Sequence, residues 1–189
     1  MSTFSALGIE KEYIKSIKEL GISVPSEIQE KAIPILLKSK TDFIGLAQTG
    51  TGKTAAFGLP ILHHIETKSD TIQALILSPT RELVQQIKKQ LFKFTKYSEE
   101  KIFVEAVFGG EKIDRQIGNL KRTTHVVVAT PGRLIDLYLQ GFIDLSLIKI
   151  FVLDEADLML DMGFINDIKK IERLCPKKKQ TLLFSATIP

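Results

Sequence analysis

The sequence predicts an α/β domain of three layers, with a central, mostly parallel β-sheet and helices on both faces. Three observations carry that expectation. Short β-rich runs recur along the 189 residues. Most are apolar nearly throughout instead of alternating, the pattern of strands covered on both faces. Between them lie stretches whose apolar residues step by three or four, as on one face of a helix. Strand and helix therefore alternate, which predicts βαβ units with right-handed crossovers and ligands bound beyond the C-terminal ends of the strands.

In chain order, the first forty residues differ from the rest. A helical pattern runs through Ile14, Ile17 and Leu20, breaks at Gly21 and Pro25, and resumes over 28–37. Residues 1–40 read as a helical flap belonging to the same domain, and 41–189 as its core. The expected strands are Phe43–Leu46, Ala74–Leu77, 102–107, Val126–Ala129, 148–153 and 181–184. The clearest helix spans Arg81 to Phe94, with Leu83, Ile87, Leu91 and Phe94 on one face. Leu134, Ile135, Leu137, Tyr138 and Leu139 mark another. The sequence stops at Ser185-Ala186-Thr187-Ile188-Pro189, straight after a strand, which suggests a fragment.

Composition narrows the function classes only coarsely. A net charge of +4 and a pI near 9.1 are compatible with a polyanionic partner but are no nucleic-acid signature alone. The basic run Lys177-Lys178-Lys179 reads as a solvated loop. The N-terminus lacks a basic region followed by an apolar stretch, so no secretory leader is expected. No apolar run approaches the roughly 20 residues of a membrane-spanning helix. The lone Cys175 has no partner for an internal disulfide and no His or Cys cluster beside it for zinc. A cytoplasmic monomer without membrane attachment is the expectation.

The chemistry concentrates in two places. Ala47-Gln48-Thr49-Gly50-Thr51-Gly52-Lys53-Thr54 follows an expected strand and opens an expected helix, the setting of a P-loop. Gly50 and Gly52 let successive N–H groups face an anion, and the helix dipole adds positive potential there. Lys53 would reach the β- and γ-phosphates of a nucleotide, and the Thr54 hydroxyl would face Mg²⁺. Ala47 stands where the strict motif has its first Gly, and a Gly-rich turn without ligand is the bland alternative. The second place is Asp154-Glu155-Ala156-Asp157, at the end of an apolar strand. Acids there could simply solvate a turn, but crowded carboxylates repel one another and a bound cation removes that cost. Asp154 is the candidate for Mg²⁺, Glu155 for polarising an attacking water, and Asp157 for signalling.

Residues 154–157 spell the motif after which the DEAD-box RNA helicases are named, and other stretches resemble that family in order and spacing from Phe4 to Thr187. The segment from Gly21 to Gln29 resembles its Q motif, with Phe4 at the place of the isolated upstream aromatic. The resemblance implies a RecA-like P-loop NTPase domain. ATP would be held by Phe4, Ile22, Gln29 and the loop Gln48, Thr49, Gly50, Thr51, Gly52, Lys53 and Thr54. Gln29 would read adenine, since a side-chain amide both donates and accepts. Ile22 stands where the family usually has an aromatic, which weakens any stacking on the base. Thr123 and Thr124 occupy a stretch where the family commonly has a Gly.

Further segments resemble the family's RNA-contacting motifs: Pro79, Thr80 and Arg81; Gly109 and Gly110; Thr130, Pro131, Gly132 and Arg133. Each begins where an expected strand ends, so N–H groups, hydroxyls and guanidiniums could line up on phosphates without reading bases. Taken alone, Gly109-Gly110 could be only a turn and Arg133 only a surface residue. Ser185 and Thr187, with Asp157, resemble the element that couples hydrolysis to strand separation. The family carries a second RecA-like domain that supplies arginines to the γ-phosphate, and none of it is recognisable here. The resemblance therefore implies a half-built catalytic site that binds nucleotide weakly and hydrolyses it hardly at all. Three functions stay open: an RNA-dependent ATPase separating short duplexes, an ATP-gated RNA clamp that uses hydrolysis for release, and a DNA translocase of a related class.

Overall fold

A computed structural model describes residues 2–188; Met1, in the stretch expected to carry no leader, and Pro189, at the end expected to be that of a fragment, lie outside the described residues. Six strands form one sheet in the order β1-β6-β5-β2-β4-β3, every pair parallel. The strands are β1 (Phe43–Leu46), β2 (Ala74–Leu77), β3 (Val104–Val107), β4 (Val126–Ala129), β5 (Ile150–Asp154) and β6 (Gln180–Ser185). The sheet is thus wholly parallel among the described residues. β2 and β4 are buried at every position, which explains their unbroken apolar sequence.

Nine helices are described: α1 (Phe4–Leu7), α2 (Lys11–Glu19), α3 (Glu27–Lys38), α4 (Lys53–His64), α5 (Arg81–Phe94), α6 (Ile113–Leu120), α7 (Pro131–Leu139), α8 (Ala156–Asp161) and α9 (Ile165–Leu174). Two apolar clusters lie on either side of the sheet. One joins α1–α3 to α4, α5 and residues such as Ala74, Ile76, Val126 and Val152. The other joins α7 and α9 to Leu75, Leu77, Val127 and Phe151. The alternation explains both: successive residues of a strand point to opposite faces. Ser16 ties the flap to the core by donating its hydroxyl to the carbonyls of Tyr13 and Phe94, at 2.8 and 2.7 Å.

Some boundaries depart from expectation. Residues 102 and 103 precede β3, although the Phe103 carbonyl still accepts from His125 N–H at 2.9 Å. Residues 148 and 149 precede β5, which runs one residue further than expected, to Asp154. The Lys177–Lys179 run is not uniformly solvated. The Lys179 side chain is only 3% exposed, and its ammonium donates to Glu172 Oε1 at 2.7 Å and to the Pro176 carbonyl at 3.1 Å. Cys175 is a free, buried thiol. No helix among the described residues is long and apolar enough to cross a membrane.

Candidate functional site

The strand order sorts the motifs along one edge of the sheet. β1, β6 and β5 are neighbours, and Leu46 pairs with Ser185 while Asp154 pairs with Phe184. The loop after β1, the acids ending β5 and the Ser185 segment therefore emerge side by side. β2, β4 and β3 are neighbours too, with Leu77 level with Ala129 and Val107. The segments beginning at Ser78, Phe108 and Thr130 form a second group on the same edge. Carboxyl ends at a point where the strand order reverses are where ligands bind in open α/β sheets.

In the first group, Gly50 and Gly52 have φ of 84° and 87°, a left-handed backbone that a side chain resists. Gly52 caps α4 directly, so Lys53 is the first helical residue and the free N–H groups of that end face the loop. Thr51 donates its hydroxyl to the Gln48 carbonyl at 2.6 Å, tightening the curl. Lys53 is buried, with Nζ 2.6 Å from Glu155 Oε1 and 3.6 Å from Asp154 Oδ1. Thr49 Oγ1 lies 3.4 Å from the same Glu155 oxygen. Glu155 is the only non-glycine residue with positive φ among the described residues, at 55°. That conformation costs about 1–2 kcal/mol, and here it turns the carboxylate back towards the loop after β1.

Burial pushes the Asp154 carboxyl up to about 6, although Lys53 beside it works in the opposite direction. Its Oδ1 makes no hydrogen bond despite being out of reach of water. An under-compensated buried carboxylate next to a row of free N–H groups fits a divalent cation carried by phosphates. No group of three or more His, Cys, Asp or Glu suited to a metal occurs among the described residues. Mg²⁺ does not need one, since phosphate oxygens and waters fill most of its shell.

Gln29 is 2% exposed and bridges flap and loop. Its Oε1 accepts from Ser26 N–H at 2.9 Å, and its Nε2 donates to the Gly52 carbonyl at 3.1 Å. The amide expected to read adenine is thus engaged internally by one hydrogen bond at each end, with one acceptor and one donor position left over. Ile22 is half-buried against the flap's core. Phe4 is 2% exposed in that same core, so its observed contribution is packing, with almost no surface left to offer a nucleotide. A groove of about 400 Å³ opens between the start of α3 and the loop, lined by Ser26, Ile28, Ala47, Gln48 and Thr51.

The second group is knitted by its arginines. Thr80 caps α5, accepting from Leu83 N–H at 3.2 Å. Arg81 lies over the Phe108 ring at 5.1 Å and donates to the Gly110 carbonyl at 3.3 Å. Pro79 and Pro131 are buried, whereas Gly109, Gly110 and Gly132 are exposed. Thr130 precedes Pro131 as the cap of α7, and Arg133 donates to the Glu111 carbonyl at 3.1 Å. Both guanidiniums hold the 109–111 loop, and each has further N–H donors to spare.

Asp157 ties the end of the acid segment to the last residue of β6 and to the segment after it. Its N–H donates to Ser185 Oγ at 3.1 Å, and Thr187 Oγ1 donates to its Oδ2 at 3.2 Å. Burial would raise its carboxyl, but the Leu158 N–H and these hydroxyls outweigh that and hold it below the usual range. One residue of the site escaped the sequence reading. Gln116, on α6, is 2% exposed and contacts the 108–111 loop. Its signal was a polar residue on the apolar side of a helix marked by Ile113, Ile117 and Leu120.

Residues 26–189 match the family model described as DEAD/DEAH box helicase. The chain is 49% identical over 189 residues to the ATP-dependent RNA helicase CshA of Listeria monocytogenes, covering 100% of this chain and 36% of that protein. It is 47% identical over 188 residues to the RNA helicase CrhR of Synechocystis sp., covering 100% of this chain and 37% of that protein. Among solved structures, a DEAD box protein from the hyperthermophile Methanococcus jannaschii superposes with a TM-score of 0.92 at 38% identity, covering 99% of this chain and 50% of that one. The chain thus spans little more than a third of the length of those two curated relatives.

Proposed function

Because the chain belongs to the DEAD/DEAH box helicase family, we propose that it is the ATP-binding and RNA-contacting part of an ATP-dependent RNA helicase. The complete protein would couple hydrolysis of Mg·ATP to local separation of RNA duplexes. The observation that carries this reading is the sorting of the sheet edge. Lys53, Asp154 and Glu155 meet at β1, β6 and β5, while Arg81 and Arg133 meet at β2, β4 and β3. One edge thereby offers a phosphate site beside a track of cations.

In this reading the N–H groups at the start of α4 and Lys53 hold the phosphates, and Lys53 leaves Glu155 to do so. Thr54 and Asp154 would hold Mg²⁺, which when bound neutralises charge on the phosphate oxygens. Glu155 Oε1, released from Lys53, would accept a hydrogen bond from the attacking water and orient it. Gln29 is proposed to meet the adenine edge with the acceptor and donor positions that Ser26 and Gly52 leave over, with Ile22 as an apolar neighbour. Arg81, Arg133 and the 109–110 loop would contact the RNA backbone without reading bases. Asp157 with Ser185 and Thr187 would relay the state of the nucleotide.

An arginine supplied to the γ-phosphate accounts for about 10³ to 10⁵ in rate in comparable phosphoryl transfers. Among the described residues, no arginine is found in the group around Lys53 and Glu155 set out above. We therefore propose that hydrolysis needs arginines supplied from a second RecA-like domain of the complete protein. The buried, free Cys175 suits the reducing cytoplasm as the place of action. Steady-state turnover of ATP by this chain, with RNA and with DNA, tests the reading. Background turnover under all conditions, with RNA-selective stimulation in the complete protein, is expected. Strong RNA-stimulated turnover by the chain alone, or equal stimulation of the complete protein by DNA, would refute it.

A further inference from the structure

The loop from Phe108 to Glu111 is held from beneath by one side chain. Gln116 donates through Nε2 to the Phe108 carbonyl at 2.8 Å, and its Oε1 accepts from the Phe108 N–H at 3.3 Å. One amide thus takes both backbone groups of the residue where β3 gives way to the loop. The same Nε2 lies 3.3 Å from Glu111 Oε2, and the same Oε1 accepts from Arg133 Nη1 at 3.3 Å. Arg133 in turn donates to the Glu111 carbonyl at 3.1 Å. The ring of Phe108, fixed by this clamp, is the surface over which Arg81 lies.

The side chain is 2% exposed, so these partners replace water altogether. A buried amide is tolerated only when its donor and acceptor are both used. Glutamate of the same length has no donor for the Phe108 carbonyl, and methionine offers neither function. Packing alone does not call for an amide here, because Ile113, Ile117 and Leu120 already turn α6 towards an apolar cluster. What the amide adds is a fixed relation between a loop and two guanidiniums that come from three different strand ends.

We infer that Gln116 is a positioning residue for RNA binding: it locks the 108–111 loop and Arg133 into one arrangement, and through Phe108 it sets the floor under Arg81. RNA phosphates are regularly spaced, so donors held at fixed separation bind a backbone that the same donors, left mobile, would have to order at entropic cost. The inference rests on the proposed RNA role of Arg81 and Arg133, and Gln116 itself touches no ligand.

The test is the affinity of the chain for a single-stranded oligouridylate, measured by fluorescence anisotropy at low salt for wild type, Gln116→Met, Gln116→Glu, Arg133→Ala and the double variant Gln116→Met/Arg133→Ala. Melting temperature and Mg·ATP affinity serve as controls for folding. Gln116→Met is expected to bind RNA about five- to tenfold more weakly, the size of one or two lost hydrogen bonds. In the Arg133→Ala background it should add little, because the two act through one network. The amide NMR signals of Gly109 and Gly110 should move or broaden in Gln116→Met. Should Gln116→Met fail to fold, Gln116→Glu carries the same expectation, since it loses the donor to the Phe108 carbonyl. A folded Gln116 variant that binds RNA like wild type, or losses that simply add in the double variant, would overturn the inference. If instead Arg133→Ala itself binds RNA like wild type, the proposed RNA surface falls and takes this inference with it.

Discussion

Lys53 Nζ sits 2.6 Å from Glu155 Oε1, with both side chains nearly out of solvent. The lysine proposed to hold phosphate is thus paired with the acid proposed to orient water, and on that proposal the first duty would release the second. Removing one partner of a buried ion pair costs about 3–5 kcal/mol because the other charge is left uncompensated. Lys53→Ala should therefore lower stability to urea or heat as well as abolish phosphate binding. Glu155→Gln keeps a neutral acceptor for the lysine and should retain nucleotide binding while slowing hydrolysis in the complete protein. Equal loss of binding in the two variants would contradict these roles.

Asp154 gives a prediction with a definite sign. Burial raises its carboxyl from the ordinary 3.8 to about 6. A raised carboxyl binds its proton more tightly folded than unfolded, so its stabilising effect is complete below 3.8 and is lost as pH rises through about 6. At pH 7.5 the ionised group weakens the fold, by at most about 3 kcal/mol for a shift of this size. Asp154→Asn should melt above wild type at pH 7.5 without Mg²⁺, with the gap closing towards pH 4. It should also lose the rise in melting temperature expected of wild type with Mg·ATP. A variant that melts lower at pH 7.5 would show that the acid is already compensated.

Gly52 has φ of 87°, and a Cβ placed there would lie 2.3 Å from Gln29 Nε2. Gly52→Ala should cost about 1–2 kcal/mol for the backbone alone, and more for displacing the amide. Gln29→Ala in the same background should recover the second part and not the first. Denaturation midpoints of the two single variants and the double variant check this. Strict additivity would mean that the flap and the loop are not in contact as described.

Thr187 donates to Asp157 Oδ2 at 3.2 Å, and Ser185 accepts from the Asp157 N–H at 3.1 Å. Thr187→Val removes an exposed hydroxyl and should change stability by less than about 1 kcal/mol. In the complete protein it should preserve ATP turnover and reduce strand separation per ATP. Parallel loss of both activities would place Thr187 in binding instead of coupling.

The layered α/β fold was legible because β2 and β4 are apolar at every position and α5 shows its period over fourteen residues. Other helices were harder to read. α8 has six residues, too few to show a period, and begins with the acid segment. α6 carries Gly118 and Asn119, poor helix formers, within its eight residues. At the site, the glycine loop and the acids were legible because their spacing is local. What was not legible depends on long-range pairing. The Lys53–Glu155 contact spans 102 residues, Gln29 is bonded to Gly52, and Phe4 is packed inside the flap. Gln116 shows nothing in sequence beyond an amide on an apolar face, since its partners lie on two other segments.

The most direct measurement is calorimetric titration of Mg·ATP and Mg·GTP into this chain and into Gln29→Ala. Binding of ATP, much weaker binding of GTP, and loss of that preference in the variant are predicted. Failure to bind ATP, or an adenine preference that survives without Gln29, would contradict the account.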